Sequence, residues 1–130
     1  MRMWMVDPRL MCKKHLLGEH VELHMFVGSL LKKKTLTGFF QQGLLEVHSI
    51  RSRHKALAEE MRRRGMQHNS PLQKFRSYKM GKINRRQNKK ELACRCRDCR
   101  ELMNKANGSP ALAKPSMQCR SMRWRGKHPL

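Results

Sequence analysis

Three residues in one short stretch, His15, Glu19 and Glu22, have the types and spacing to move protons. At 100° per residue they fall within about 60° of one another, with Phe26 and Leu30 on the same side. The two carboxylates therefore sit at the edge of an apolar stripe and not on a solvated back. A carboxylate half withdrawn from water has a raised pKa unless it is paired, which is the condition a general acid or base needs. The ordinary alternative is an ion pair with another helix, and Arg51, Arg53 and Arg64 are the cations on offer. The same face could hold a metal, and His20 and His24, at i and i+4, are a second candidate ligand pair. Acids are scarce here: 9 Asp and Glu stand against 30 Lys and Arg, so each acid asks for a reason.

A second constellation is Cys94-x-Cys96-x2-Cys99, followed by Cys119. Four thiolates make a tetrahedral zinc site, and His128 or His68 can replace one of them. The neighbouring Arg95, Arg97 and Arg100 favour the thiolate form. If 91–104 is one continuous helix, Cys96 and Cys99 share a face and Cys94 points away, so zinc requires the helix to start later. The ordinary alternative is reduced cysteines on a basic helix, with Cys12 simply buried.

The elements that must position these groups follow from pattern. Residues 1–8 read as extended, with Asp7-Pro8 opening a short turn. Leu16, Leu23, Phe26, Val27 and Leu30 predict a helix over 13–34, closed by Lys32, Lys33 and Lys34, where cations suit the helix dipole. Residues 35–43, with Gly38 and Gly43, read as a loop. Ser49 can cap a second helix carrying Ile50, Leu57 and Met61, and Gly65 suits its C′ position. Pro71 stops that run. Residues 74–90 carry many cations and few large apolar groups, and read as a linker or a solvated basic helix. A third helix is expected over 91–106, and loose order over 107–130.

The fold class expected is all-α: a small helical domain with a long first helix, over residues 1–72. A basic, cysteine-containing extension follows over 73–130. With 38% hydrophobic residues a core can form, though not over the whole length. The formal net charge of +21 asks for a polyanion, and nucleic acid is the first candidate because phosphate neutralisation releases counterions. The runs Arg62 to Arg64, Lys82 to Lys90 and Arg120 to Lys127 are candidate phosphate contacts. Trp124, set among arginines, can stack on an exposed base or pack on the core. No apolar run is long enough to span a bilayer and no signal peptide is legible, so a reducing, cytoplasmic location is expected, with the cysteines as thiols or metal ligands.

The stretch KHLLGEHVELH resembles the pyrimidine-dimer DNA glycosylase family, of the phage endonuclease V type, whose first helix has the form H-L-x-x-E-x-x-E-L. His15-Leu16, Glu19 and Glu22-Leu23 match it. The second helix agrees at Arg53-His54, Leu57, Glu60-Met61 and Arg64-Gly65, followed by His68 and Ser70-Pro71. The resemblance covers about residues 1–72 and implies an all-α DNA glycosylase coupled to an abasic-site lyase. It implies that the nucleophile is the α-amine of the first residue, here Met1, since methionine ahead of arginine is normally retained. An α-amine titrates near pH 8 and is nucleophilic at neutral pH without special burial. The resemblance assigns the key carboxylate to Glu22. It places Arg2, Lys14, His15, Glu19, Arg53, His54, Arg64 and Trp124 as candidate substrate or DNA contacts. Where the phage enzyme carries arginines beside and after this carboxylate, the chain has Val21 and Met25, which bears on lesion specificity more than on amine chemistry.

The reading is therefore a DNA-repair enzyme of a prokaryotic or phage-infected cell. It acts as a nucleoid-associated monomer on damaged duplex DNA, with no cofactor for catalysis and a structural zinc on Cys94, Cys96, Cys99 and Cys119. One rival is a non-catalytic nucleic-acid-binding protein on the same scaffold. Another is a zinc-dependent regulatory module over 94–119, with the helical half serving as a dimer interface.

Overall fold

A computed structural model describes residues 1–68 and 70–107. They form five α-helices and two short 3-10 turns, with no strand among the described residues. The all-α expectation holds.

The chain enters extended, and the Met3 N–H donates to the Leu44 carbonyl at 2.8 Å. Asp7 caps the Pro8–Leu10 turn by accepting from the Arg9 N–H at 3.0 Å. Helix α1 spans Lys13–Leu31. It ends before the lysine run expected to close it, because Lys33 takes a left-handed φ of 55°. Its buried stripe is Leu16, Glu19, His20, Leu23, Phe26 and Val27. Glu19 thus lies in the middle of the stripe and not at its edge.

A five-residue helix α2, Thr37–Gln41, occupies the stretch expected to be a loop. Helix α3 spans Ile50–Arg63 and packs against α1. Ser49 stands at its N-cap, but the side chain does not cap the helix. Its hydroxyl donates to Glu46 instead. Gly65 ends the helix region at φ 80°, as its position predicts.

The described residues from there to Asn84 form no helix or strand. Glu46 fastens this segment: the buried carboxylate accepts from the Ile83 N–H at 3.0 Å and from Arg85 at 3.3 Å. At Gly81 a Cβ would lie 2.1 Å from the Leu45 carbonyl oxygen, with φ at 91°, so only glycine fits there.

The single helix expected over 91–106 is two. Helix α4 spans Arg85–Arg95, with Asn84 accepting from the Gln87 N–H at its start. Helix α5 spans Arg97–Asn107. They pack against each other and are separated by Cys96, whose backbone is extended (φ −120°, ψ 114°). Phe75, Ile83, Leu92, Ala93, Cys99 and Met103 are buried in the same core as Met3, Leu16, Leu23 and Leu57. The described part of the basic extension therefore packs apolar groups into the core of α1 and α3, while most residues over 74–90 stay exposed. No helix among the described residues is long and apolar enough to cross a membrane.

Candidate active site at the amino terminus

Glu22 is half-buried on α1, and its Oε2 lies 3.4 Å from the backbone N–H of Arg2. Burial pushes its pKa up, and the Arg2 N–H and the chain's terminal ammonium pull it back. The amine of Met1 thus lies within electrostatic reach of this carboxylate. The Met1 side chain packs against the core, which holds the chain end down.

The Arg2 head group does not join Glu22. It pairs with Glu91 of α4 at 2.6 Å, donates to the Asn88 side-chain oxygen at 2.9 Å, and lies 3.8 Å above the Trp4 ring. Asn88 is buried and donates in turn to the Trp4 carbonyl at 2.9 Å. These contacts clamp residues 2–4 and so fix where the amine stands. Neither Asn88 nor Glu91 is visible as a site residue in the sequence, because each lies more than 80 positions from its partner.

Glu19 is different. Its side chain has no exposure, and it receives both Nε and Nη2 of Arg53 from α3, at 2.6 and 2.8 Å. This is the bidentate geometry that makes carboxylate–guanidinium pairs strong. Both residues are in the interior, where each is the other's partner. Arg64 is likewise committed, to Glu60 at 2.6 Å and to the carbonyls of Pro8 and Met11 at 3.0 and 2.6 Å. It ties the end of α3 to the first turn. Lys14 is exposed, as are Val21 and Met25, at 54% and 50%. Trp124 and Cys119 lie outside the described residues.

His54 is buried within a group of imidazoles with His20, His24 and His68, their ring centroids 4.7–5.1 Å apart. Its Nε2 also faces the Ser70 carbonyl at 3.3 Å. The Nε2 atoms of His20 and His68 lie 2.8 Å apart, so one donates and the other accepts. Burial and the neighbouring rings hold His20 down to about 4. The ring nitrogens of His20, His54 and His68 lie within 4.8 Å of one another. His24, half of the pair expected from i, i+4 spacing, is not among those three.

His15 lies among cysteines and Trp4. Its Nδ1 lies 3.2 Å from the Cys12 Sγ and 3.7 Å from the Cys99 Sγ, and its ring stacks edge-on with Trp4. The Sγ atoms of Cys12 and Cys96 are 3.7 Å apart. These four residues bring all their ligand atoms within 4.8 Å of one another and could hold a metal ion. Cys94 is not one of them. Cys119 lies outside the described residues; among those described, Cys96 and Cys99 of the expected quartet meet Cys12 and His15. The reason is local: the chain leaves the helix at Cys96, which turns that thiol and Cys99 toward the start of α1. The Cys12-x2-His15 spacing, echoing Cys96-x2-Cys99, is the signal that could have revealed the set.

Compared with known proteins, no curated protein and no solved structure matches the chain. The sequence profile of the pyrimidine dimer DNA glycosylases matches residues 1–74, which takes in α1, α3 and the segment bearing Met1. That is more than half of the 130 residues; the chain belongs to the pyrimidine dimer DNA glycosylase family, which makes DNA its substrate class.

Proposed function

We propose that the protein excises the base of a pyrimidine-dimer nucleotide through the Met1 α-amine and then cleaves the strand at the resulting abasic site. The amine attacks C1′. The glycosidic bond breaks, and the base leaves with the electron pair and takes up a proton. Ring opening gives a Schiff base between Met1 and C1′. Loss of the C2′ proton then expels the 3′ phosphate by β-elimination, and hydrolysis of the imine frees the amine. Glu22 accepts the proton of the attacking ammonium and passes it to the ring oxygen as the sugar opens; ionised again, it stabilises the cationic imine and receives the C2′ proton. The observation that carries this reading is the Glu22 carboxylate held 3.4 Å from the Arg2 N–H, beside the terminal amine and with no ion-paired guanidinium among the described residues. Family membership supports it. The route uses no cofactor in the chemical steps. The partner is damaged duplex DNA, gripped through its phosphates by a chain of net charge +21. Reaching the reacting carbon requires base extrusion or a sharp bend.

Borohydride reduction of the protein on a duplex with one abasic site should trap a covalent adduct on the Met1 peptide, absent when the N-terminus is blocked. A duplex containing one cyclobutane dimer then tests base excision. A second reading draws on the exposed Val21 and Met25, which stand where the phage enzyme has arginines: a non-catalytic binding protein on the same scaffold. Bound DNA with no trapped adduct would select that second reading.

A further inference from the structure

We propose that Cys12, His15, Cys96 and Cys99 bind a single zinc ion that fastens the α4–α5 junction to the start of α1. Tetrahedral zinc with sulfur ligands at about 2.3 Å places its sulfurs about 3.7–3.8 Å apart, and a nitrogen ligand somewhat closer. The Cys12–Cys96 separation is 3.7 Å, and His15 Nδ1 stands 3.2 and 3.7 Å from two of the thiols. All six ligand separations fall within 4.8 Å. The four groups come from two Cx2 turns whose backbones already point at the sulfurs. The Cys99 N–H is aimed at Cys96 Sγ at 3.4 Å, and the Cys12 N–H at Cys99 Sγ at 3.2 Å. Such N–H···S contacts suit thiolates better than thiols, since the acceptor is then charged.

Charge points the same way. Binding releases three thiol protons and leaves three thiolates and one Zn²⁺, a net of one negative charge. Lys14 and Arg95 both lie near enough to act on His15 and offset it. Without an ion these groups hold one another only through weak sulfur hydrogen bonds, whereas an ion would bind all four directly. The edge-on Trp4 ring holds the imidazole in place, as outer contacts do for ligating histidines.

The site lies across the boundary of the family match: Cys12 and His15 are inside residues 1–74, while Cys96 and Cys99 are beyond it. Zinc would therefore anchor the later helices to the family scaffold, including α4 with Asn88 and Glu91, which hold Arg2. This goes beyond the catalytic proposal and stands or falls separately from it.

The test is the metal content and ligand shell of the full chain purified under reducing conditions with zinc supplied. About one zinc per chain is expected. X-ray absorption should show three sulfurs near 2.3 Å and one nitrogen near 2.0–2.1 Å. Cobalt substitution should give tetrahedral ligand-field bands with thiolate charge transfer. Zinc should fall to near zero in Cys12→Ser and Cys96→Ser, persist in Cys94→Ser, and persist in His15→Cys with a fourth sulfur. The wild-type ligand shell keeps the test decisive if a serine variant fails to fold. A reduced wild-type chain without metal, a four-sulfur shell, a disulfide among these cysteines, or zinc lost only with Cys94 would each overturn the proposal.

Discussion

Glu19 and Glu22 stand three residues apart on one helix face, and their surroundings are opposite. Glu19 has no exposed side chain and carries both arms of Arg53. Glu22 is withdrawn from water but receives one backbone N–H and the field of an ammonium. The Arg2 guanidinium lowers the Glu22 pKa only from a distance, because it is held by Glu91, Asn88 and Trp4. Burial alone does not make a carboxylate reactive. Burial with the fixed cation taken elsewhere leaves one whose proton affinity is raised and whose lone pairs are free.

The largest effect expected from this contrast is on Glu22→Gln. Trapping on an abasic duplex should fall by about 10²–10⁴-fold, the usual contribution of a positioned acid or base. Folding should not suffer. A carboxyl whose folded pKa is raised contributes stability while protonated and loses it as pH rises through that pKa. The ionised Glu22 therefore weighs against the fold at neutral pH, and the glutamine variant should melt higher at pH 7. A variant that melts lower and still traps would erase the distinction between the two acids.

Glu19→Gln should do the reverse. It leaves Arg53 buried without its counter-charge, and breaking one side of such a pair costs about 3–5 kcal/mol. Denaturant midpoints should show that loss, while the folded fraction keeps trapping within a few-fold. Replacing both partners, Glu19→Leu with Arg53→Met, should recover most of the stability, since an apolar pair of similar volume needs no desolvation of charge. If the double variant is folded and inactive, Glu19 has a chemical task and the comparison fails.

This contrast was only half legible in the sequence. The helical period placed both acids near an apolar stripe, and Arg53 was one of three cations named for them. What separated the two was which cation arrived and which was diverted. Arg53 comes from α3, 34 positions away, and Glu91 from 89 positions beyond Arg2. Periodicity reports one helix at a time, so it is silent about such partners. The same limit hid the metal-ligand set, where Cys12 and Cys96 meet across 84 positions. It also hid the break at Cys96, because Leu92, Cys99 and Met103 remain buried on both sides of it. Signals internal to a turn survived: Asp7-Pro8, Gly65, and the extents of α1 and α3 to within a few residues.

Acid sharpens the contrast but also strains the fold. His20 is depressed to about 4 in the folded chain, against about 6.5 when unfolded. A group with a depressed folded pKa gives its full stability above the unfolded value and loses it as pH falls through the folded one. Stability should thus decline between about pH 6.5 and 4, by on the order of 3 kcal/mol. His24, His54 and His68 face His20, and His54 is also held low, adding in the same direction. His20→Gln should flatten the decline measured by denaturant unfolding at stepped pH. An unchanged slope would show that other groups govern acid unfolding.

The smallest effect is the most specific. In the wild type, trapping should fall as pH drops through the raised pKa of Glu22, so its acid limb should lie above the usual glutamate range. Glu91→Gln weakens the hold on the Arg2 guanidinium without removing the Asn88 contact or the Trp4 ring. Arg2 then has reason to lean toward Glu22, whose charge already acts on it, and any approach lowers the proton affinity of Glu22. The acid limb should move to lower pH while DNA affinity stays within a few-fold and the protein remains folded across the profile. A structural role for Glu91 would reduce the amount of active protein at every pH and leave the limb where it was. A limb that stays put in folded, DNA-binding protein would mean that the cation drawn off by α4 is not what keeps Glu22 apart from Glu19.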